Sequence, residues 1–280
     1  MNDYLMPISD QEFQLMRELI YKRFGINLTE QKRSLLVSRL QKLIRGSGFA
    51  GFRDYYEHLV NDRSEEALGQ LVDRVSTNHT FFNREKDHFE YFSNTALPAV
   101  VGALEKSGSR DLRIWCAGCS SGEEAYMLLM LLREFFGSDY GRWEAGLLAT
   151  DISHRALTTA RAGIYPDERM DSLPDQLRSR YFRRRAPGSW EVRDELRREA
   201  TFRRFNLMNQ VFPFKKPFHI IFCRNVMIYF DQPTRDGLVA RFHRHTAPGG
   251  YLFIGHSETL GRNQDLFNYL QPATYQRRAT

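Results

Sequence analysis

Three short stretches carry residues suited to ligand chemistry. The first is WCAGCSSGEEAY, Trp115 to Tyr126. Cys116 and Cys119 stand at a spacing that metal and redox sites use. A zinc site needs a second ligand pair. The only other cysteine is Cys223, and His243 and His245 stand too close together to complete a paired motif. A thioredoxin-like pair opens a helix after a strand, as this one does, but its Ala-Gly spacer and the following Ser-Ser-Gly-Glu-Glu are unlike one. The remaining reading is a loop of small residues that lets backbone approach a ligand, with free N–H groups at the following helix start. It is not G-x-G-x-x-G, so the dinucleotide fingerprint fails. Glu123 and Glu124 follow at once. A pyrophosphate would meet two negative charges there; a cationic ligand would not. The same two acids would also complement the helix dipole.

The second stretch is LLATD, which ends at Asp151. An acid at a strand end can accept from both hydroxyls of a ribose; it can also cap the next helix. The third is FCRNVMIYFD, Phe222 to Asp231. Arg224 and Asn225 follow an apolar strand, and Tyr229 comes soon after. An arginine in a cleft requires a partner or a substrate. Together, a small-residue loop, nearby acids and a ribose-binding acid suit S-adenosylmethionine (SAM). That molecule joins an adenosine, a cationic sulfonium and an amino-acid tail, and it has no phosphate.

The elements that must hold these stretches fall into two groups. Residues 9 to about 90 read as helical. In SDQEFQLMRELIYKRFG, Ser9 and Glu12 have capping-box spacing, Phe13, Leu15, Met16, Leu19 and Ile20 form a stripe, and Gly25 stops the helix. In TEQKRSLLVSRLQKLIRGSG, Thr29 is the expected cap, and Leu36, Leu40, Leu43 and Ile44 share a face. FRDYYEHLV and EEALGQLVDRV make two shorter helices. After about residue 110, strands and helices alternate: LRIWCAG, EEAYMLLMLLREFF, AGLLATD, SHRALTTARAG, FHIIFCRN, QPTRDGLVARFHRHT and GGYLFIGHSE. That alternation predicts βαβ units and a mainly parallel sheet. Residues 180 to 205 break it, and their Pro-Gly turn predicts a small antiparallel excursion.

The chain has 280 residues, enough for one large domain or two smaller ones. Its 42% hydrophobic and 13% aromatic content supports a packed core. The longest apolar run, Ala125 to Leu132, is far short of the roughly 20 residues of a membrane span. MNDYLMPISD has no signal-peptide character, so a cytoplasmic protein without membrane insertion is expected. The net charge of +6 is clustered in RSRYFRRR, Arg178 to Arg185, and in five Lys or Arg between Lys32 and Arg45. Such clusters fit a nucleic acid or an acidic protein.

TNHTFFNRE, WCAGCSSGEEAY, ATDIS, FNLMN, IFCRNVMIYFD and GHSETL, in this order, resemble the CheR family, the chemotaxis receptor protein-glutamate methyltransferases. The resemblance runs from about Ile8 to the C-terminus. It implies an α/β protein: an N-terminal all-α domain over 1–75, a linker with cofactor-site residues over 76–95, and a Rossmann-like SAM-dependent methyltransferase domain over 96–280. A small antiparallel β-subdomain would be inserted at about 178–205. It implies SAM held by Asn78, Thr80, Arg84, Glu124, Asp151, Asn206, Leu207, Arg224 and Asn225. Asp151 would take the ribose, and Arg84 and Tyr229 would lie nearest the transferred methyl group. The implied partner is the cytoplasmic region of chemoreceptors, with a receptor tail peptide as a candidate strand on the β-subdomain. Neither a metal nor a nucleic acid is implied. Two departures stand out. The family's T-x-F-F-R is Thr80-Phe81-Phe82-Asn83-Arg84 here, and the proline after its paired glutamates is Ala125, which a helix start tolerates. The residues alone also admit an RNA methyltransferase, which the arginine clusters suggest, and a SAM-binding sensor or scaffold.

Overall fold

The computed structural model describes residues 5–278. α1 (Asp10–Phe24) starts on the expected capping box: Ser9 Oγ accepts from the Glu12 amide, Glu12 accepts from the Ser9 amide, and Gly25 closes the helix. α2 (Arg33–Gly46), α3 (Phe52–Asn61) and α4 (Glu66–Val75) follow. Thr29 supplies no side-chain cap; a 3₁₀ turn over Glu30–Lys32 leads into α2 instead. Phe13, Met16 and Ile20 of α1 meet Leu36, Leu40 and Ile44 of α2, with Phe52 and Tyr55 of α3 and Leu71 and Val72 of α4, in one core. Burying each such side chain stabilises by about 1.5–3 kcal/mol.

The expected linker 76–95 is a linker only in its first part. Residues 77–85 lack regular structure. α5 (Lys86–Tyr91) then runs through a π turn over Phe92–Ala96 into α6 (Leu97–Lys106). The π turn falls just before Pro98, whose missing N–H an uninterrupted α-helix would not accommodate.

The remaining chain is β1 (Asp111–Ala117), α7 (Glu123–Phe136), β2 (Glu144–Asp151), α8 (His154–Ala162), β3 (Ile164–Pro166), α9 (Asp167–Met170), α10 (Asp175–Tyr181), β4 (Phe182–Ala186), β5 (Ser189–Val192), α11 (Asp194–Arg197), β6 (Ala200–Arg204), β7 (Phe218–Cys223), α12 (Gln232–His245), β8 (Thr246–Ile254), β9 (Phe267–Gln271) and β10 (Thr274–Arg277). Seven strands form one sheet in the order β6-β2-β1-β7-β8-β10-β9. Pairs from β6 to β8 are parallel, and β10 runs antiparallel to β8 and β9. The order reverses at β1 and β7, and in such sheets the ligand crevice opens there, beyond the carboxyl ends.

The inserted sheet differs in extent from the expected 178–205. Its order is β3-β5-β4, so it begins at Ile164 and ends at Val192. Ala200–Arg204 is not part of it. That segment is β6, paired in parallel with Leu147–Asp151 of β2. A five-residue edge strand that buries only Phe202 carries little periodic signal. The arginine run of this region is largely neutralised within the protein. Arg178 pairs with Asp175 (2.5 Å), Arg180 with Glu134 (2.5 Å), Arg183 with Glu191 (3.0 Å) and Arg184 with Asp167 (2.6 Å).

Candidate active site

A cleft of about 1030 Å³, counted to its open mouth, lies beyond the ends of β1, β2, β6 and β7. Asn78, Thr80, Arg84, Glu124, Asp151, Asn206, Leu207, Arg224, Asn225 and Tyr229 all line it. The sequence separates these ten by up to about 150 positions; the sheet brings them together.

The loop after β1 shapes the floor. Gly118 (φ +86°) packs so closely that a Cβ would meet Val226 Cγ2 at 2.4 Å, and the amides of Gly118 and Cys119 donate to Thr150 O at 2.7 and 2.9 Å. Only one of the paired glutamates faces the cleft. Glu123 is buried away from it, accepting from Ser121 Oγ (2.7 Å) and paired with Arg169 (2.5 Å). Glu124 lines it. Burial first, then neighbouring Glu124, pushes the Cys116 thiol well above its ordinary range. Cys116 therefore stays a thiol and donates to Glu124 Oε1 at 3.2 Å. Burial does the same to Cys119 and Cys223. Buried thiols held in this form are poor nucleophiles.

Asp151 ends β2 and is buried. Its Oδ2 accepts from the Ser120 amide (2.8 Å) and its Oδ1 from the Ser153 amide (2.9 Å). Ser153, not Asp151, caps α8, accepting from the Ala156 amide at 3.1 Å. Burial pushes the Asp151 carboxyl up, against those amide bonds. A carboxylate has about four acceptor positions, so these amides leave acceptor capacity on a side chain that lines the cleft.

Arg224 ends β7 with its side chain 1% exposed. It bridges Glu124 Oε2 (2.8 Å) and Glu85 Oε2 (3.1 Å) and donates to Arg84 O. Asn225 turns the chain at φ +57° and donates from Nδ2 to Glu85 Oε1 at 3.1 Å. Burial alone would raise Glu85. His88, Arg224 and Asn225 outweigh it and hold this carboxyl well below its ordinary range. Glu85, His88 and His256 lie within 4.8 Å of one another, a spacing that suits a metal ion. An ion on Glu85 would, however, face the Arg224 guanidinium across that carboxylate.

The loop after β6 brings Asn206 and Leu207. It is pinned by Trp115, whose ring meets Phe205 (5.9 Å), Phe212 (5.6 Å) and Phe214 (4.8 Å). Asn206 Nδ2 donates to Arg23 O (2.8 Å) and its Oδ1 accepts from the Met208 amide (2.9 Å), so its side chain ties this loop to the end of α1. Leu207 O accepts from Arg241 Nη2 at 3.1 Å.

The rim comes from the N-terminal side. Asn78 Nδ2 reaches Ser153 Oγ at 3.4 Å, and Thr80 O accepts from Arg169 Nη1 at 2.8 Å. Tyr229 OH donates to Thr77 O at 3.4 Å. Arg84 Nη1 donates to His79 O (2.9 Å), and its guanidinium stands 5.9 Å from the Phe81 ring centre. No carboxylate among the described residues pairs with it. The shifted phenylalanines have separate places: Phe82 is buried edge-on against Tyr165 (5.0 Å) and Phe182 (5.5 Å), whereas Phe81 faces the cleft. Asn83 takes φ +59°, a conformation asparagine adopts more readily than other side-chain-bearing residues.

Residue types alone did not reveal Phe24 and Ile26 of the α1 end, Phe205, or Glu85. The first three are apolar and read as core. Glu85 follows Arg84 directly, and that adjacency was the one available signal.

The floor therefore sets Glu124 and Asp151 beside the guanidinium of Arg224, which Glu85 pairs from outside the lining, between the apolar side chains of Ile26, Phe89, Ile152, Phe205, Leu207 and Val226. Such a floor repels a pyrophosphate and suits a cationic nucleoside, so the residues present fit SAM. Sheet order and cleft define a SAM-dependent methyltransferase. The chain belongs to the CheR methyltransferase family: residues 78–276 match its SAM binding domain and 11–76 its all-alpha domain. Its cofactor is S-adenosylmethionine. The chain is 41% identical over 270 residues to a chemotaxis protein methyltransferase of Borreliella burgdorferi, covering 96% of this chain and 95% of that one. It is 35% identical to chemotaxis protein methyltransferase 1 of Pseudomonas aeruginosa (95% and 96% covered). It is 34% identical to the chemotaxis protein methyltransferase of Escherichia coli (96% and 92% covered). No helix among the described residues is long and apolar enough to cross a membrane.

Proposed function

We propose that the protein transfers the methyl group of SAM to the γ-carboxylate of glutamate residues on the cytoplasmic region of chemoreceptors, giving methyl esters for sensory adaptation. The observation that carries this reading is Arg84: a guanidinium without a carboxylate partner, on the rim of a SAM cleft whose other arginine is fully used. The relatives' printed names, chemotaxis protein methyltransferase, point the same way.

Bound SAM supplies an electrophilic methyl group on a sulfonium. An acceptor carboxylate oxygen would take that methyl group, with the carbon–sulfur electron pair left on sulfur in S-adenosylhomocysteine. No proton moves, because a glutamate is already ionised at neutral pH. The protein's task is alignment, which contributes about 7–11 kcal/mol in the best cases. Arg84 would hold the acceptor carboxylate by charge-assisted hydrogen bonds. Too tight a hold would slow transfer, since the carboxylate loses its charge on the way to the ester. Tyr229 offers a neutral O–H for the same group, released from Thr77 O by a small movement. Asn78, Thr80, Glu124, Asp151, Asn206, Leu207, Arg224 and Asn225 would hold the cofactor, with Asp151 on the ribose. An acidic receptor helix would approach along the basic face of α2. A receptor tail strand would add to an edge of the β3-β5-β4 sheet.

The test uses methyl-labelled SAM, the protein and cytoplasmic fragments of chemoreceptors, followed by mild alkali. Label released as volatile methanol marks a carboxyl methyl ester. Label retained on the receptor means another acceptor atom and refutes the proposal.

A further inference from the structure

Glu258 follows β8, within GHSETL, and is 8% exposed. No Lys, Arg or His among the described residues pairs with it. A buried carboxylate in that position is costly unless hydrogen bonds satisfy it. Here the backbone does so. Its Oε2 accepts from the amides of Asn225 (2.9 Å) and Gly255, and its Oε1 from the amide of Ile228 (3.2 Å). Burial pushes the carboxyl up, against these amide bonds.

The amides belong to two different loops, one after β7 and one after β8. The first turns at Asn225 in a left-handed conformation (φ +57°), which asparagine adopts more readily than other side-chain-bearing residues. The second approaches so closely that a Cβ on Gly255 would meet Asn225 Nδ2 at 2.5 Å and its amide N at 2.8 Å. The loop held this way carries Asn225 at one end and Tyr229 at the other, and both line the cleft.

We propose that Glu258 is a positioning residue: its carboxylate, wrapped in the amides of Asn225, Ile228 and Gly255, sets the turn that delivers Asn225 to the cofactor and Tyr229 to the rim. This rests on Asn225 facing SAM, as proposed above, but not on the identity of the methyl acceptor. The test is accordingly a binding cycle, which needs no acceptor. SAM affinity is measured by calorimetry in the wild type, Glu258→Gln, Asn225→Ala and the double variant, with a melting temperature for each. Glu258→Gln keeps the shape but loses the charge and turns an NH₂ toward the amides. It is expected to weaken SAM about tenfold, the scale of one charge-assisted hydrogen bond. In the Asn225→Ala background it should add less than about twofold, because the two residues act through one contact. A residue that merely supports the fold would lower the melting temperature and weaken SAM equally in both backgrounds; that result overturns the proposal, as does unchanged affinity in Glu258→Gln. Should Glu258→Gln fail to fold, Glu258→Asp enters the same cycle. It keeps the charge on a shorter arm, and equal losses with and without Asn225 would again refute the idea.

Discussion

The floor and the rim of the cleft use arginine in opposite ways. On the floor, Arg224 is buried between Glu85 (3.1 Å) and Glu124 (2.8 Å), with the Arg84 carbonyl as a further acceptor. On the rim, Arg84 donates to a carbonyl of its own segment and stands over the Phe81 ring, with no carboxylate partner among the described residues, and Tyr229 makes a long hydrogen bond. The floor sits on strand ends of a seven-stranded sheet; the rim is irregular backbone over 77–85. The difference teaches a division of labour. A cofactor of fixed shape suits a preorganised, fully paired surface. An acceptor on another protein suits groups whose hydrogen bonds are free to be exchanged.

The largest test of this contrast is Arg224→Ala. It leaves Glu85 and Glu124 partly buried and unpaired, and the expected loss of stability is about 3–5 kcal/mol by denaturant unfolding. A loss below about 1 kcal/mol would mean that the floor is as soft as the rim. Next comes Arg84→Ala. Its stability should stay within about 0.5 kcal/mol of wild type. Methyl transfer should fall about 100-fold, the scale of a misplaced acceptor. SAM affinity should fall less than transfer does; the reverse order would move Arg84 from the rim's task to the floor's.

Acid sharpens the floor further, because its carboxyls are shifted in opposite directions. Asp151 is raised above 3.8 by burial, so its contribution to stability is present below the unfolded value and is lost as pH rises through the folded one. Glu85 is depressed below 4.5, so its contribution is present above that value and is lost only as pH falls through the folded one. On acidification Asp151 should therefore protonate first, and SAM affinity should weaken while the Arg224 pairs hold. Affinity measured against pH should bend in the wild type and bend less in Asp151→Asn, where Glu258, also raised by burial, still titrates. A bend of unchanged size in the variant assigns the titration elsewhere.

The smallest effect concerns the approach of the acceptor. Arg33 is paired with Asp10 (2.7 Å), and Arg39 donates to Val75 O (2.6 Å) and Thr77 Oγ1 (2.9 Å). The basic face of α2 is therefore narrower than its sequence suggests, and Lys42 is one of its exposed members. Lys42→Glu should raise KM for a receptor fragment about threefold at low salt and less at high salt. A KM that ignores both the charge and the salt would place docking on another face.

Much of this was legible in the residues. The α1 capping box and the β1–α7–β2 alternation depend on neighbours a few positions apart. So do the acid that ends β2 and the Arg-Asn pair that ends β7. The helix through α5 and α6 was obscured by Pro98. β6 was hidden by its single buried side chain, which is why the inserted sheet was drawn too long at its end; it was begun too late because β3 is only three residues long.

The sequence by itself determined most element types and their order, because helix and strand periods, caps and strand-end polarity are local properties; Asn78, Thr80, Arg84, Asn206 and Leu207 came from the resemblance to the CheR family. It could not say which charges would meet. Glu85 and Arg224 lie 139 positions apart, and Asn206 reaches Arg23 across 183. Only the packing of the helical domain against the sheet decided that Phe24 and Ile26 would wall the cofactor cleft, and only the pairing of β7 with β8 decided that Glu258 would bind two loops. Packing also decided that one arginine would be consumed by the floor and the other left open at the rim. Ion pairing and desolvation depend on distances in space, and those are set only when distant elements become neighbours.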